Sequence, residues 1–139
     1  MKALSLTAIG VMALCGAANA GQTVYDCQLK NNQKRYGWIP ERMVVFVDDQ
    51  AGKAMVIDDY INHFHEKPIP ASYEKLGGDR FRVKWVMDKM KVRANGDIRA
   101  NFQASISEKT GRAQMRVRIA GAADNRPSGQ GPCKITKQK

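Results

Sequence analysis

Long apolar runs, histidine and aromatic residues are all scarce in this chain. Only two of its 139 residues are His and 7% are aromatic. Beyond residue 20 no apolar run approaches the roughly 18 residues that a membrane-spanning helix needs. Twelve glycines and five prolines, without a repeating period, exclude a collagen-like chain, and 43% apolar content excludes low-complexity disorder. Catalytic signatures are missing as well. There is no G-x-S-x-G, no H-E-x-x-H and no P-loop, and neither His has an evident nucleophile for a partner. The expectation is therefore a noncatalytic protein with no cofactor and no fixed metal. Acidic side chains are outnumbered, 13 Asp and Glu against 23 Lys and Arg, for a formal net charge of +10.

The first twenty residues have the layout of a secretory signal peptide. Met1-Lys2 is a short positive start, Ala3 to Gly16 is apolar, and Ala18-Asn19-Ala20 is an A-x-A cleavage site. Leu14 before Cys15 argues against a lipoprotein signal, so Cys15 is expected to leave with the leader. The chain then divides into a signal peptide, 1–20, and a single domain, 21–139, periplasmic or secreted after removal of the leader at Ala20. Two cysteines remain, Cys27 and Cys133. An even count in an exported protein predicts that they are joined, because that compartment is oxidising.

Period-two alternation runs through the remainder. Tyr25, Cys27 and Leu29 alternate with polar residues, as do Phe81, Val83, Trp85 and Met87, and later Met115, Val117 and Ile119. Met43 to Val47 is continuous and apolar enough to be buried on both faces. Ala54 to Ile61 reads as its returning strand, and Ala71 to Leu76 as one helical turn. Met90 and Val92 alternate in the opposite phase to Trp85 and Met87, which predicts a bulge or corner near Asp88. A three-residue turn at Asn95-Gly96-Asp97 would pair Ala94 with Ile98, Val92 with Ala100 and Met90 with Phe102. Gly121 to Pro132 reads as a long loop before a last strand, Cys133 to Thr136. About eight short strands at this spacing predict an all-β domain, an antiparallel barrel or sandwich, closed by a disulfide between its terminal strands.

Charge is unevenly spread. Residues 21–74 carry 6 basic and 8 acidic side chains, whereas residues 75–139 carry 16 and 5. The alternation places Arg80, Arg82, Lys84, Lys91, Arg93, Arg99, Arg116 and Arg118 on an outward sheet face, and these are the candidate anion-binding residues. Such a face attracts lipid phosphates, lipopolysaccharide or acidic polysaccharide. The same charges also suit a solvated face that resists strand-to-strand aggregation. Specific nucleic-acid binding is not expected, because no outward aromatic residues are interleaved for base stacking. Tyr25, Phe81, Trp85, Phe102 and Met115 are inward and would line a calyx or simply fill a core. His63 and His65, if extended, would point the same way toward a metal. Asp48-Asp49 and Asp58-Asp59 sit about 16 Å apart along a hairpin, too far for joint chemistry, and Asp58 and Asp59 are expected to meet Arg42.

Three segments carry a resemblance: Tyr25-Asp26-Cys27, Gly37-Trp38-Ile39-Pro40, and the close from Ala123 to Cys133, with its Asn125-Arg126-Pro127-Ser128-Gly129-Gln130-Gly131-Pro132 run. They are similar to a group of small exported bacterial proteins to which no activity is attached, which implies export and a shared fold. The chain ends more loosely resemble the membrane-bound inhibitors of c-type lysozyme, small β-barrels with Tyr-x-Cys near the start and Cys near the end. Those inhibitors insert a Ser-Gly-rich loop into an enzyme cleft, and Ser128 to Gly131 is the nearest counterpart. Two functions follow as expectations. The first is a binding protein for an anionic or amphiphilic envelope molecule. The alternative is an inhibitor of an envelope-active hydrolase acting through the 121–132 loop.

Overall fold

The computed structural model describes residues 21–32, 37–92, 96–121 and 126–138. The expected leader with Cys15, the anion candidate Arg93 and residues 122–125 of the expected loop lie outside the described residues. Nine strands form: β1 (Gln22–Gln28), β2 (Lys30–Asn31), β3 (Arg42–Asp48), β4 (Lys53–Asp58), β5 (Ile69–Gly77), β6 (Arg80–Val92), β7 (Gly96–Ser107), β8 (Arg112–Ile119) and β9 (Ser128–Lys137). One short helix, α1 (Asp59–His65), follows β4. Each long strand pairs antiparallel with the next, and β9 returns to β1. The result is an up-and-down barrel of eight strands, with β2 as a short extension of β1 that also pairs with β9. Of the two expected architectures, barrel and sandwich, the barrel is the one formed.

Residues opposite each other on neighbouring strands share a face, so both members of an inward pair enter the core, as Trp85 and Phe102 do. β8 alternates strictly, with Ala113, Met115, Val117 and Ile119 buried and Arg112, Gln114, Arg116 and Arg118 exposed. β3 buries Met43, Val45 and Val47 but leaves Val44 and Phe46 half-buried, so the expected two-sided burial is only partial. At eight strands the interior has room for side chains alone or for one small ligand. Here Tyr25, Phe81, Trp85, Phe102 and Met115, each at most 4% exposed, belong to a single packed core. Tyr25 and Phe81 lie 4.9 Å apart between ring centres, and Trp85 stacks on Phe102 at 5.5 Å.

Cys27 and Cys133 are directly opposed on β1 and β9 and are disulfide-bonded, with 3.9 Å between their Cα atoms. The bond therefore latches the seam at which the sheet closes on itself. At the same seam two glycines permit close approach. A Cβ on Gly131 would stand 1.7 Å from the Gln28 carbonyl oxygen, and one on Gly129 would stand 2.6 Å from Ile39 Cγ2.

The structure corrects several local expectations. The residues from Ser128 to Pro132 form strand, paired with β8 and in part with β2, so the expected 121–132 loop ends at Pro127. Ala71 to Leu76 lies within β5 instead of forming a helical turn. β6 and β7 pair Met90 with Ile98 and Val92 with Gly96, so Gly96 and Asp97 belong to β7 and not to the expected turn, and Phe102 meets Trp85 instead of Met90. The phase slip itself is present. The register shifts between Met87 and Met90, both buried, and Lys89 takes φ 54° at that bulge.

His63 and His65 lie on α1, not on an extended segment. At about 100° per residue a two-residue step turns them to nearly opposite sides, which removes the expected shared aim. The helix starts because Asp58 caps it, its Oδ1 accepting from Ile61 N at 2.8 Å. It stops where Glu66 adopts a left-handed conformation and Pro68 follows. Arg42 forks onto Asp26 at 2.7 and 2.9 Å, and Asp59 accepts from the backbone N–H of Glu41, so the hydrogen-bonded partner of Arg42 is Asp26, with Asp59 acting on it only through its charge.

Candidate functional site

The long strands β6, β7 and β8 carry the charge candidates on the barrel's outer wall. Register builds a transverse row there. Ser72 of β5 faces Lys84, Lys84 faces Gln103, Gln103 faces Arg116, and Arg116 faces Ser128 of β9. A second row of Val86, Asn101 and Arg118 lies beside it. These residues and Arg126 line one cleft of about 920 Å³ on the outside of the barrel. At 4.8 Å per strand the first row spans about 19 Å, and Lys84 and Arg116 are about 10 Å apart at the backbone. Arg116 and Arg118, two residues apart on one strand, are separated by about 6.7 Å.

Among the described residues, four cations, Lys84, Arg116, Arg118 and Arg126, therefore border this cleft, and no carboxylate lines it. None of the four is paired with an acid among the described residues, where the ion pairs are Arg42–Asp26, Lys75–Asp49 and Arg82–Glu74. Between the cations the lining is neutral and hydrogen-bonding: Ser72, Asn101, Gln103 and Ser128. Ser128 Oγ accepts from Asn32 Nδ2 at 3.1 Å. The exposed apolar side chain is Val86, at 43%. Trp85, Phe102 and Val117 also border the cleft, but they alternate inward and remain buried.

Of the eight sequence-predicted anion candidates, Lys84, Arg116 and Arg118 meet in the cleft. Arg80 and Arg82 lie further along β6, where Arg82 is 3.8 Å from Glu74. Lys91 and Arg99 lie beyond the bulge, outside the cleft lining. Arg126 escaped sequence reading because a residue in a loop carries no periodicity. Asn101 and Gln103 were legible as outward positions of β7, alternating with Phe102 and Ala104. The calyx candidates are buried in the core, and the cleft described above lies on the outside of the barrel.

Other polar clusters close the ends of the barrel. At the end bearing the β3–β4, β5–β6 and β7–β8 turns, the buried Tyr25 hydroxyl donates to Glu108, and burial together with that acceptor pushes its pKa up. Tyr73 donates to Asp49 at 3.1 Å, and burial followed by that contact pushes the phenol up to about 12. Lys75, 2.9 Å from Asp49, holds that carboxyl below its ordinary range, with help from the Tyr73 hydroxyl. At the opposite end α1 places Ile61 in the core, and Tyr60 donates to the carbonyl of Gly37. Asp58, at the base of α1, is 4% exposed, and burial pushes its pKa up to about 6. No three His, Cys, Asp or Glu among the described residues are grouped to hold a metal ion. No helix among them is long and apolar enough to cross a membrane.

No protein family, curated protein or solved structure matches this chain.

Proposed function

We propose that this is an exported, noncatalytic binding protein for an anionic or amphiphilic molecule of the bacterial envelope, held in the outer cleft of β5 to β9. One observation carries the reading. Among the described residues, four cations and no carboxylate border one concave site, whereas surface charges that serve only solubility are normally interspersed with the opposite sign. Lowered dielectric in a concave site strengthens each attraction to an anion. The register that aligns Lys84, Gln103 and Arg116 is held by a disulfide-latched barrel. The donors are thus pre-positioned, which lowers the ordering cost of binding. Export rests on the leader-like first twenty residues, and the disulfide is compatible with it.

The test uses the chain from Gly21 with vesicles of phosphatidylglycerol, with lipopolysaccharide and with acidic polysaccharide, each at about 50 mM and about 500 mM salt. At least one anionic probe is expected to bind at low salt and to be released at high salt, with Arg116→Glu abolishing the effect. Binding that ignores both salt and Arg116→Glu would reject the cleft as the site.

A further inference from the structure

We propose that the cleft's ligand is a saccharide bearing two phosphate groups, whether free or as the headgroup of a lipid; this rests on the anion-binding reading above. The order of chemistry along the transverse row carries it: hydroxyl at Ser72, ammonium at Lys84, amide at Gln103, guanidinium at Arg116, hydroxyl at Ser128. Two cationic centres thus flank a neutral, hydrogen-bonding middle. Lys84 forms one centre, and Arg116 with Arg118 and Arg126 forms the other. A complementary ligand carries an anion, then a polar body, then a second anion.

Size and charge narrow the class. A cleft of about 920 Å³ is far larger than one phosphate, so the ligand has a body between its charges. Asn101 and Gln103 can each donate and accept, as sugar hydroxyls require. Two phosphate monoesters carry about −3 to −4 at neutral pH, by the charge of about −1.5 to −2 on each, close to that of the four cations among the described lining residues. Two uronate carboxylates would leave half the cations unbalanced. Three of the four cations are Arg, whose planar fork binds phosphate through paired hydrogen bonds. Single-stranded nucleic acid, the other phosphate-rich polymer, needs exposed aromatic platforms, and the aromatic residues bordering this cleft, Trp85 and Phe102, are buried. Val86 is the exposed apolar side chain of the described lining and can pack against the edge of a sugar ring.

The experiment is calorimetric titration of the chain from Gly21 at constant ionic strength. The probes are a glucosamine disaccharide bisphosphate without acyl chains, an oligogalacturonate of matched length, and inorganic pyrophosphate. The bisphosphate is expected to bind at least about tenfold tighter than either comparator, and Lys84→Gln and Arg116→Gln are each expected to weaken it by about tenfold or more. Thermal unfolding of both variants, with midpoints near that of the parent, establishes that they are folded. Oligogalacturonate binding as tightly as the bisphosphate overturns the phosphate assignment. Pyrophosphate binding equally well overturns the saccharide. In both cases the anion cleft survives if Arg116→Gln still weakens binding. No response of any probe to Arg116→Gln overturns the cleft itself. An acylated form of the disaccharide names the source: tightening beyond about tenfold identifies a lipid headgroup, and unchanged affinity a soluble sugar phosphate.

Discussion

Lys84 and Arg116 stand in one transverse row of the barrel wall, on β6 and β8, with Gln103 of β7 between them. Neither is paired with an acid among the described residues, so the row presents two uncompensated cations about 10 Å apart at the backbone. Cations elsewhere on the same wall differ. Arg82 has Glu74 nearby, and Arg99 and Lys91 fall beyond the β6 bulge. That contrast separates a site from a merely basic surface.

Charge reversal should therefore be position-dependent. Arg116→Glu and Arg118→Glu are expected to weaken binding of an anionic probe by tenfold or more, about 1.4 kcal/mol. Arg99→Glu and Lys91→Glu should change it by less than about threefold. Equal losses at all four positions, measured at fixed ionic strength, would mean that overall charge and not the cleft attracts the probe.

The seam disulfide closes a sequence separation of 106 residues. By the chain-entropy argument, replacing Cys27 and Cys133 with Ala is expected to cost about 4–5 kcal/mol, the added cavity aside. Urea unfolding of the double variant checks this, and a loss below about 1 kcal/mol would show that β1–β9 pairing holds the barrel shut unaided.

Gly131→Ala is expected to be among the most damaging single changes, on the order of 3 kcal/mol or more, because the new methyl overlaps the Gln28 carbonyl, which is backbone and cannot swing aside. Gly129→Ala meets the end of the Ile39 side chain first, with the Lys30 carbonyl oxygen 2.8 Å away, and should cost somewhat less. Gly37→Ala meets nothing within 4 Å among the described residues and should stay within about 0.5 kcal/mol of the parent. Thermal or urea midpoints of the three variants give the ranking directly.

Asp58 makes stability depend on pH. Its folded pKa, about 6, lies above the ordinary value of 3.8, so the folded state holds the proton more tightly than the unfolded state. Its contribution is most favourable below about pH 4 and is lost as pH rises to about 6, a total of roughly 1–3 kcal/mol. Asp58→Asn keeps a capping acceptor for Ile61 N without the buried charge. It should match the parent near pH 4 and exceed its stability near pH 7.5 by about that amount. Parallel stability-against-pH curves for the two proteins would contradict the assignment.

Much of this was legible from residue order. Strand alternation is a local property: in Arg112 to Ile119 every second side chain is apolar, and each of those is buried. The bulge near Asp88 was visible as a change of phase, because Met87 and Met90 both had to face inward. Helix α1 was harder to see, since Tyr60 and Ile61 read as the end of a strand. Its signal was Asp58 three residues before Ile61, with Pro68 beyond. Gly129 and Gly131 look like loop glycines by composition, yet they serve the close crossing of β9 over β1 and β2.

The amino-acid order by itself determined an all-β domain, the inward and outward faces of its strands, and the cysteine pair that closes it. Side-chain alternation and cysteine count need no knowledge of which strand lies beside which. Register does need it. The pairing of Met90 with Phe102, carried along β6 without a shift, would have set Lys84 opposite Glu108 and neutralised it. The pairing of Val92 with Gly96, together with one extra residue at the bulge, sets Lys84 opposite Gln103 and in line with Arg116. Arg126 reaches the same cleft from a loop that has no period to read. The site is therefore a product of strand offsets and barrel closure, which depend on contacts between distant parts of the chain and are decided only when the whole sheet shuts.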